Sequence, residues 1–392
     1  MKRGKAFFFL LGWIGMLVYF SQRWIVGPLI PSLMHDFGAD RTQLGVVGAA
    51  NMWGYMLTPI VAGLLSDRFG RKYAVLAGIA GFSALTVVSG LTHSAGQLFA
   101  SRFVTGMCEA FYFIPLIAFT LEVFPERPGF FLTLMTSGSS LGWFTGPALA
   151  GWLLDITGTW RTAFLATGVA GLLVAAALLL AWPAQEQKAA RHDAFFNRDI
   201  LKFPNLVLLF LLCLAATVQI AAEFGFTMWF PVFLRTEVGT TATVAGLVAG
   251  MYGVGQFIGR PILGSASDRF GYRLVGTLGS FVFGLSLVLA LWLDGHFLRG
   301  LFCFQAGFIG ASVMGSLWTF TGLAYPSYKG LSLGIITTFA YVAASTAPIA
   351  IGYIGDHYSV ALGIWSICIP CAFLSGVIFG STRLLRKSER TL

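Results

Sequence analysis

The chain has 392 residues, 57% of them hydrophobic and 10% charged, with a mean hydropathy of +0.79. A soluble domain carries about 25% charged residues, so this composition excludes an ordinary water-facing globule. The formal charge of +9 hints at nucleic acid, but the positions of the charges exclude that reading.

A hydrocarbon core about 30 Å thick takes roughly 20 apolar residues per helix. In chain order, twelve such runs fall near 6–30, 44–65, 74–92, 97–121, 131–154 and 161–182, then near 204–234, 243–265, 275–293, 298–321, 332–354 and 360–382. The opening "MKRGKAFFFLLGWIG" imitates a signal peptide. No small-residue cleavage site follows it and the run continues into Arg23, which makes it an uncleaved first span. With the N-terminus inside, 18 of the 25 Lys and Arg are cytoplasmic, Arg41, Arg161, Arg235 and Arg299 lie outside, and Arg23, Arg102 and Arg260 fall within spans. That bias predicts a multi-pass protein of a bacterial inner membrane with both termini cytoplasmic, so the basicity reports topology and not a partner. The 48 glycines suit close helix packing in lipid. Cys108, Cys213, Cys303, Cys368 and Cys371 all lie in apolar runs, where "CIPC" at 368–371 reads as packing. The histidines lie in loops without ligand spacing, so no metal or other cofactor is expected.

The tetrapeptide "DRFG" occurs at Asp67–Gly70 and at Asp268–Gly271, and 268 − 67 = 201. The same offset aligns Gly38 with Gly239, Thr42 with Thr243, Gly106 with Gly307, Pro147 with Pro348, Gly151 with Gly352 and Asp155 with Asp356. A constant register over that distance predicts an all-α membrane protein of twelve spans in two homologous six-helix bundles, 1–182 and 204–392, joined by a cytoplasmic linker at 183–203. Six spans per half make the repeats parallel, and such halves rock about a substrate site at their interface.

Over its whole length the chain resembles the major facilitator superfamily. The loop after its second span fits G-x-L-x-D-R-x-G-R-K at Gly63, Leu65, Asp67, Arg68, Gly70, Arg71 and Lys72, and a weaker copy carries Asp268 and Arg269. These charges are expected to form a conformational latch, with Gly70 and Gly271 permitting the turn; a solvated charged loop is the alternative.

Ionisable groups inside spans are expensive, each costing roughly 2.5–3.5 kcal/mol at the bilayer centre, and each is a functional candidate. They are Arg23, Arg102, Glu109, Glu223 and Arg260. Arg102 and Glu109 are two helical turns apart and share a face. "RFVTGMCEA" resembles the R-x-x-x-G-x-x-E-A signature of the superfamily's organic-anion symporter branch, a resemblance that makes Glu109 the carrier of a coupling proton; a structural ion pair is the alternative. That branch has an acid before the arginine that reaches substrate, and here Gln22 precedes Arg23. The missing acid reappears at Glu223, since 223 − 201 = 22, which suggests a second carboxylate there. Arg260 resembles a carboxylate-binding arginine of the monocarboxylate branch, and it also suits snorkelling to the headgroups. Two arginines oppose two glutamates; Arg260 or a proton tips the balance to positive, which favours an anion entering with a proton. Tyr19, Gln22, Asn51, Tyr112, Tyr252 and Gln256 are the expected polar and aromatic lining.

These features predict a proton-coupled secondary transporter of a small organic anion, such as a carboxylate or sugar acid, in which nothing demands more than a monomer. Gly138, Gly142, Gly146, Pro147 and Gly151 resemble the Gly-Pro motif of drug/proton antiporters, which keeps an exporter of amphipathic compounds open. A sensor without turnover is a further alternative, whereas no nucleophile–base or Walker spacing supports an enzyme.

Overall fold

The computed structural model describes residues 3–124, 128–182, 206–325 and 329–388. The linker expected at 183–203 lies outside the described residues, as do charges expected on the cytoplasmic side, such as Arg127 and Lys188.

The described chain is helical. Its first part comprises α1 (Arg3–Trp24), α2 (Val26–Phe37), α3 (Arg41–Leu57), α4 (Pro59–Phe69), α5 (Arg71–Gly90), α6 (Ala95–Val123), α7 (Pro128–Thr157) and α8 (Arg161–Ala181). The second comprises α9 (Leu206–Thr236), α10 (Ala242–Phe270), α11 (Tyr272–Trp292), α12 (His296–Ala324), α13 (Lys329–His357), α14 (Val360–Gly363), a π-helical turn at Ile364–Cys368 and α15 (Ile369–Ser388). Local chemistry sets the ends. Asp40 and Gln43 form a reciprocal capping box that starts α3, and Ser94 caps α6 by accepting from the Gln97 amide. Gly70 (φ +102°) and Gly271 (φ +93°) occupy the equivalent turn of each repeat, in a region L side chains avoid.

Ten helices among the described residues are long and apolar enough to cross a membrane, which differs from the twelve runs expected. The run near 44–65 is divided at Thr58, because Pro59 opens a new helix and leaves α3 with 17 residues. The run near 131–154, within α7, is not among the ten either.

Two compact units emerge: Met1–Ala190 with Phe230–Gly253, and Arg191–Trp229 with Val254–Leu392. The first unit therefore takes in the last turns of α9 and the first turns of α10. The reason lies in specific contacts. Arg235 Nη1 donates to the Pro28 carbonyl at 2.6 Å and reaches Ser32 Oγ at 3.4 Å. The Asp155 carboxylate, at the end of α7, accepts from the backbone amides of Ala242 (3.2 Å) and Thr243 (2.7 Å). A negative group facing the positive end of a helix is favourable. Burial works to raise the Asp155 carboxyl, but the Thr243 hydroxyl and the Thr243 and Ala242 amides together hold it below the usual carboxylate range. Close backbone approach completes the seam, since a side chain at Gly246 would collide with the Pro147 carbonyl of α7.

The core of the first unit gathers Phe8, Tyr19, Phe82, Tyr112 and Leu116 from α1, α5 and α6. That of the second gathers Leu212, Leu317, Ile336 and Phe379 from α9, α12, α13 and α15.

Candidate functional site: a buried arginine–glutamate cluster

Three helices of the first unit converge on one carboxylate. Helix α6 contributes Arg102 and Glu109, which its 3.6-residue period places on one face. Helix α3 contributes Asn51, Met52 and Tyr55, and α1 contributes Tyr19 and Arg23 near its end. The meeting of α3 and α6 depends on two glycines. A side chain at Gly106 would strike the Asn51 carbonyl, and one at Gly54 would strike the Phe103 carbonyl. Their absence lets Asn51 Nδ2 donate to Glu109 Oε1 at 3.0 Å.

Glu109 is wholly buried, and Arg23 Nη2 stands 3.7 Å from its Oε2. Arg23 Nη1 donates to the Tyr19 hydroxyl at 2.9 Å, and Nη2 also approaches Met52 Sδ at 3.1 Å. The same guanidinium lies 5.2 Å from the Tyr55 ring centre and 5.6 Å from that of Tyr19, within cation–π range. Arg102 is 1% exposed; its Nη2 reaches the Arg23 carbonyl at 3.4 Å, and its Nη1 makes no hydrogen bond among the described residues. Two guanidinium groups are therefore buried with one carboxylate, which Arg23 approaches directly while Arg102 contacts the Arg23 backbone. Removing one partner from such a buried set costs about 3–5 kcal/mol, because a charge is left uncompensated.

The other lining candidates divide. Tyr112 donates from its hydroxyl to the Gly12 carbonyl at 3.0 Å, tying α6 to α1 inside the first unit. Gln22 points away from Arg23 and into the bundle. Its Nε2 donates to the Thr167 carbonyl at 2.8 Å, and its Oε1 accepts from the Thr86 hydroxyl at 2.7 Å. Tyr252 stacks obliquely on Trp143 at 5.3 Å, within the first unit.

In the second unit Gln256 Nε2 donates to Glu223 Oε1 at 2.8 Å, and Arg260 Nη2 donates to Gln256 Oε1 at 3.3 Å. Glu223, the acid expected to replace the one missing at Gln22, is thus joined to Arg260 through a single amide.

Away from these clusters, the repeated charged motif forms the α4–α5 and α10–α11 turns. Arg71 donates to Ser66 Oγ at 2.7 Å and to Glu122 at 3.3 Å. Arg68 lies over Phe69 and Arg269 over Phe270, both at 5.4 Å, so the repeat preserves the local geometry. Tyr272 donates to Asp268. Gly63 faces open space, Lys72 is half-buried, and the side chain of Asp67 lies outside the described residues. Sequence reasoning gave no role to Asp155 or Arg235, although the alignment of Asp155 with Asp356 was a signal.

The glycine stripe of α7 serves packing: side chains at Gly142 and Gly146 would collide with α1 at Leu17 and Ser21.

The family model described as Major Facilitator Superfamily matches residues 12–238 and 212–391. The chain is 25% identical over 390 residues to the cis,cis-muconate transport protein of Acinetobacter baylyi, covering 94% of this chain and 92% of that one. It is also 28% identical over 388 residues to an MFS-type efflux pump of Mycolicibacterium smegmatis, covering 92% and 87%. Among solved structures, a bacterial homologue of the human lysosomal transporter Spinster matches with a TM-score of 0.74 and 16% identity, covering 100% of this chain and 98% of that one.

Proposed function

The chain belongs to the Major Facilitator Superfamily, and on that premise we propose that it moves a small organic anion across the membrane by alternating access coupled to a proton. As a member of that family it is a multi-pass membrane transport protein and not an enzyme. The single observation that carries the anion reading is the burial of two guanidinium groups, Arg23 and Arg102, with the one carboxylate of Glu109 in the first unit. With Glu109 ionised the cluster holds one excess positive charge; with Glu109 protonated it holds two. An incoming carboxylate suits the planar fork of Arg23, and a proton on Glu109 releases that fork from its present partner. Proton and anion then enter together for electrostatic reasons. Arg260 and Glu223 supply a second charged group on the other repeat. The name of the muconate relative, a dicarboxylate carrier, supports this reading.

The wider picture is twelve spans in two bundles, 1–182 and 204–392, with both termini and the 183–203 linker in the cytoplasm of a bacterium, the protein acting as a monomer in the inner membrane. Export of amphipathic compounds is the second reading, supported by the efflux relative and by the Gly138–Gly151 stripe of α7. Purified protein in liposomes decides between them. Uptake of labelled organic anions that rises several-fold with an acid-outside gradient, and loses that gradient dependence in Glu109→Gln, is the expected outcome. Absence of anion uptake with gradient-driven extrusion of a lipophilic dye favours the exporter.

A further inference from the structure

Gln219 lies on α9 one turn before Glu223 and is 0% exposed. A spacing of four places both side chains on one helical face. The neighbours on that face are small, with Ala215, Ala216 and Ala222 all fully buried. Neither Oε1 nor Nε2 of Gln219 has a hydrogen-bond partner among the described residues. Native proteins seldom leave a buried amide so, because the group gives up water and receives nothing in return. Gln22 shows the ordinary alternative, since both of its amide atoms are taken by neighbouring helices.

The adjoining polar chain offers no explanation from within. Gln256 spends its Nε2 on Glu223 and its Oε1 on Arg260. Gln219 is therefore the amide of this cluster with both a donor and an acceptor to give. The chemistry of an occupant follows from that pair. A carboxylate only accepts, so it answers Nε2 and leaves Oε1 bare; an ammonium only donates and fails in the opposite sense. A hydroxyl donates and accepts at once. A protonated carboxyl does so too, but carboxylic acids are ionised near neutral pH.

We propose that Gln219, beside Glu223, forms a subsite for a hydroxyl group of the transported anion, which makes hydroxylated organic acids the preferred substrates. This rests on the organic-anion reading and narrows it: that reading concerns the substrate's charge, and Gln219, in the same unit as Glu223, Gln256 and Arg260, selects a hydroxyl. A site that hydrogen-bonds a hydroxyl discriminates against the analogue lacking it, because the buried polar atoms are then stranded.

The test uses full-length protein in liposomes and matched labelled pairs, benzoate with 4-hydroxybenzoate and adipate with galactarate. Wild type should favour a hydroxylated member by about tenfold or more in apparent affinity. Gln219→Leu should compress that preference to roughly threefold or less by weakening the hydroxylated member. Equal affinity within both pairs in wild type overturns the proposal, as does an undiminished preference in Gln219→Leu. Failure of the broader reading looks different: no anion of either kind is taken up, and Arg23→Lys changes nothing. A second measurement needs no substrate. If Gln219 is unpaired, ligand-free Gln219→Leu melts at or above the wild-type temperature, since an apolar side chain replaces a stranded amide. A clear fall in melting temperature marks Gln219 as a packing residue and overturns the subsite.

Discussion

Arg23 and Gln22 are neighbours in sequence with opposite surroundings, and the contrast sets what substitution does to each. Arg23 points into the charged cluster, where its two terminal nitrogens serve Tyr19, Met52 and Glu109. An ammonium is a point charge without that fork, so Arg23→Lys should fold normally and lower anion uptake by about tenfold or more, equivalent to the roughly 1.4 kcal/mol of one lost directed contact. Gln22 instead ties α1 to α5 and α8. Its replacement by Leu removes the bonds to the Thr86 hydroxyl and the Thr167 carbonyl, at about 1 kcal/mol each, although Thr86 keeps the Phe82 carbonyl as a partner. The measurement for Gln22→Leu is thermal unfolding in detergent, where a drop is expected; unchanged stability with a raised KM would place Gln22 at the substrate instead. The residue pattern announced a buried charge cluster, because arginine and glutamate in apolar runs demand partners. It did not announce that Gln22 turns inward, since helical phase at the end of α1 is fixed by packing.

At the level of elements, α9 and α10 are each divided between the two compact units, and Asp155 is a principal tie holding the start of α10 against α7. If the halves alternate, the segment 230–253 must part from α2 and α7. The Asp155 carboxyl is held below its usual range, so its contribution is present in full above the ordinary carboxylate pKa of about 3.9 and is lost as pH falls through the lower folded value. Acid should loosen this seam, and Asp155→Asn should loosen it at neutral pH. The readout is alkylation of a single cysteine introduced as Ser140→Cys in a background lacking the native cysteines, at the α7–α10 contact. Faster labelling is expected in Asp155→Asn, and an unchanged rate would show that the glycine packing alone suffices. The division of span 2 at Thr58 belongs to the same scale: Pro59 is visible in the sequence, but the apolar run continues across it, so hydropathy alone does not show the break.

For the whole molecule, the latch reading of the duplicated motif predicts an effect on turnover and not on assembly. Gly70 and Gly271 adopt matching backbone geometry, and the residues that follow, Arg71 and Tyr272, engage local partners in Ser66 and Asp268, which is what two copies of one turn should do. If Asp67 latches the bundles, Asp67→Asn leaves membrane insertion intact and slows transport several-fold. Wild-type rates in that variant, in the same liposome assay, remove the latch from the mechanism.

The sequence by itself determined the class, the repeat, the bias of the charges and four of the buried ones, Arg23, Arg102, Glu109 and Glu223, whereas Arg260 is half-buried and Arg299, expected outside, is buried. These follow from composition and one-dimensional period, because lipid rewards apolar length and punishes every unpaired charge. Only the tertiary structure decided which charges meet. Arg102, Arg23 and Glu109 come from sites 79 and 7 residues apart along the chain (102 − 23, 109 − 102), and Asn51 reaches Glu109 only because α3 and α6 approach closely at Gly54 and Gly106. The same holds for the seam at Asp155 and for the bare amide of Gln219. Each depends on the rotation of one packed helix against another, and helical periodicity leaves that angle free until side chains and backbones interlock.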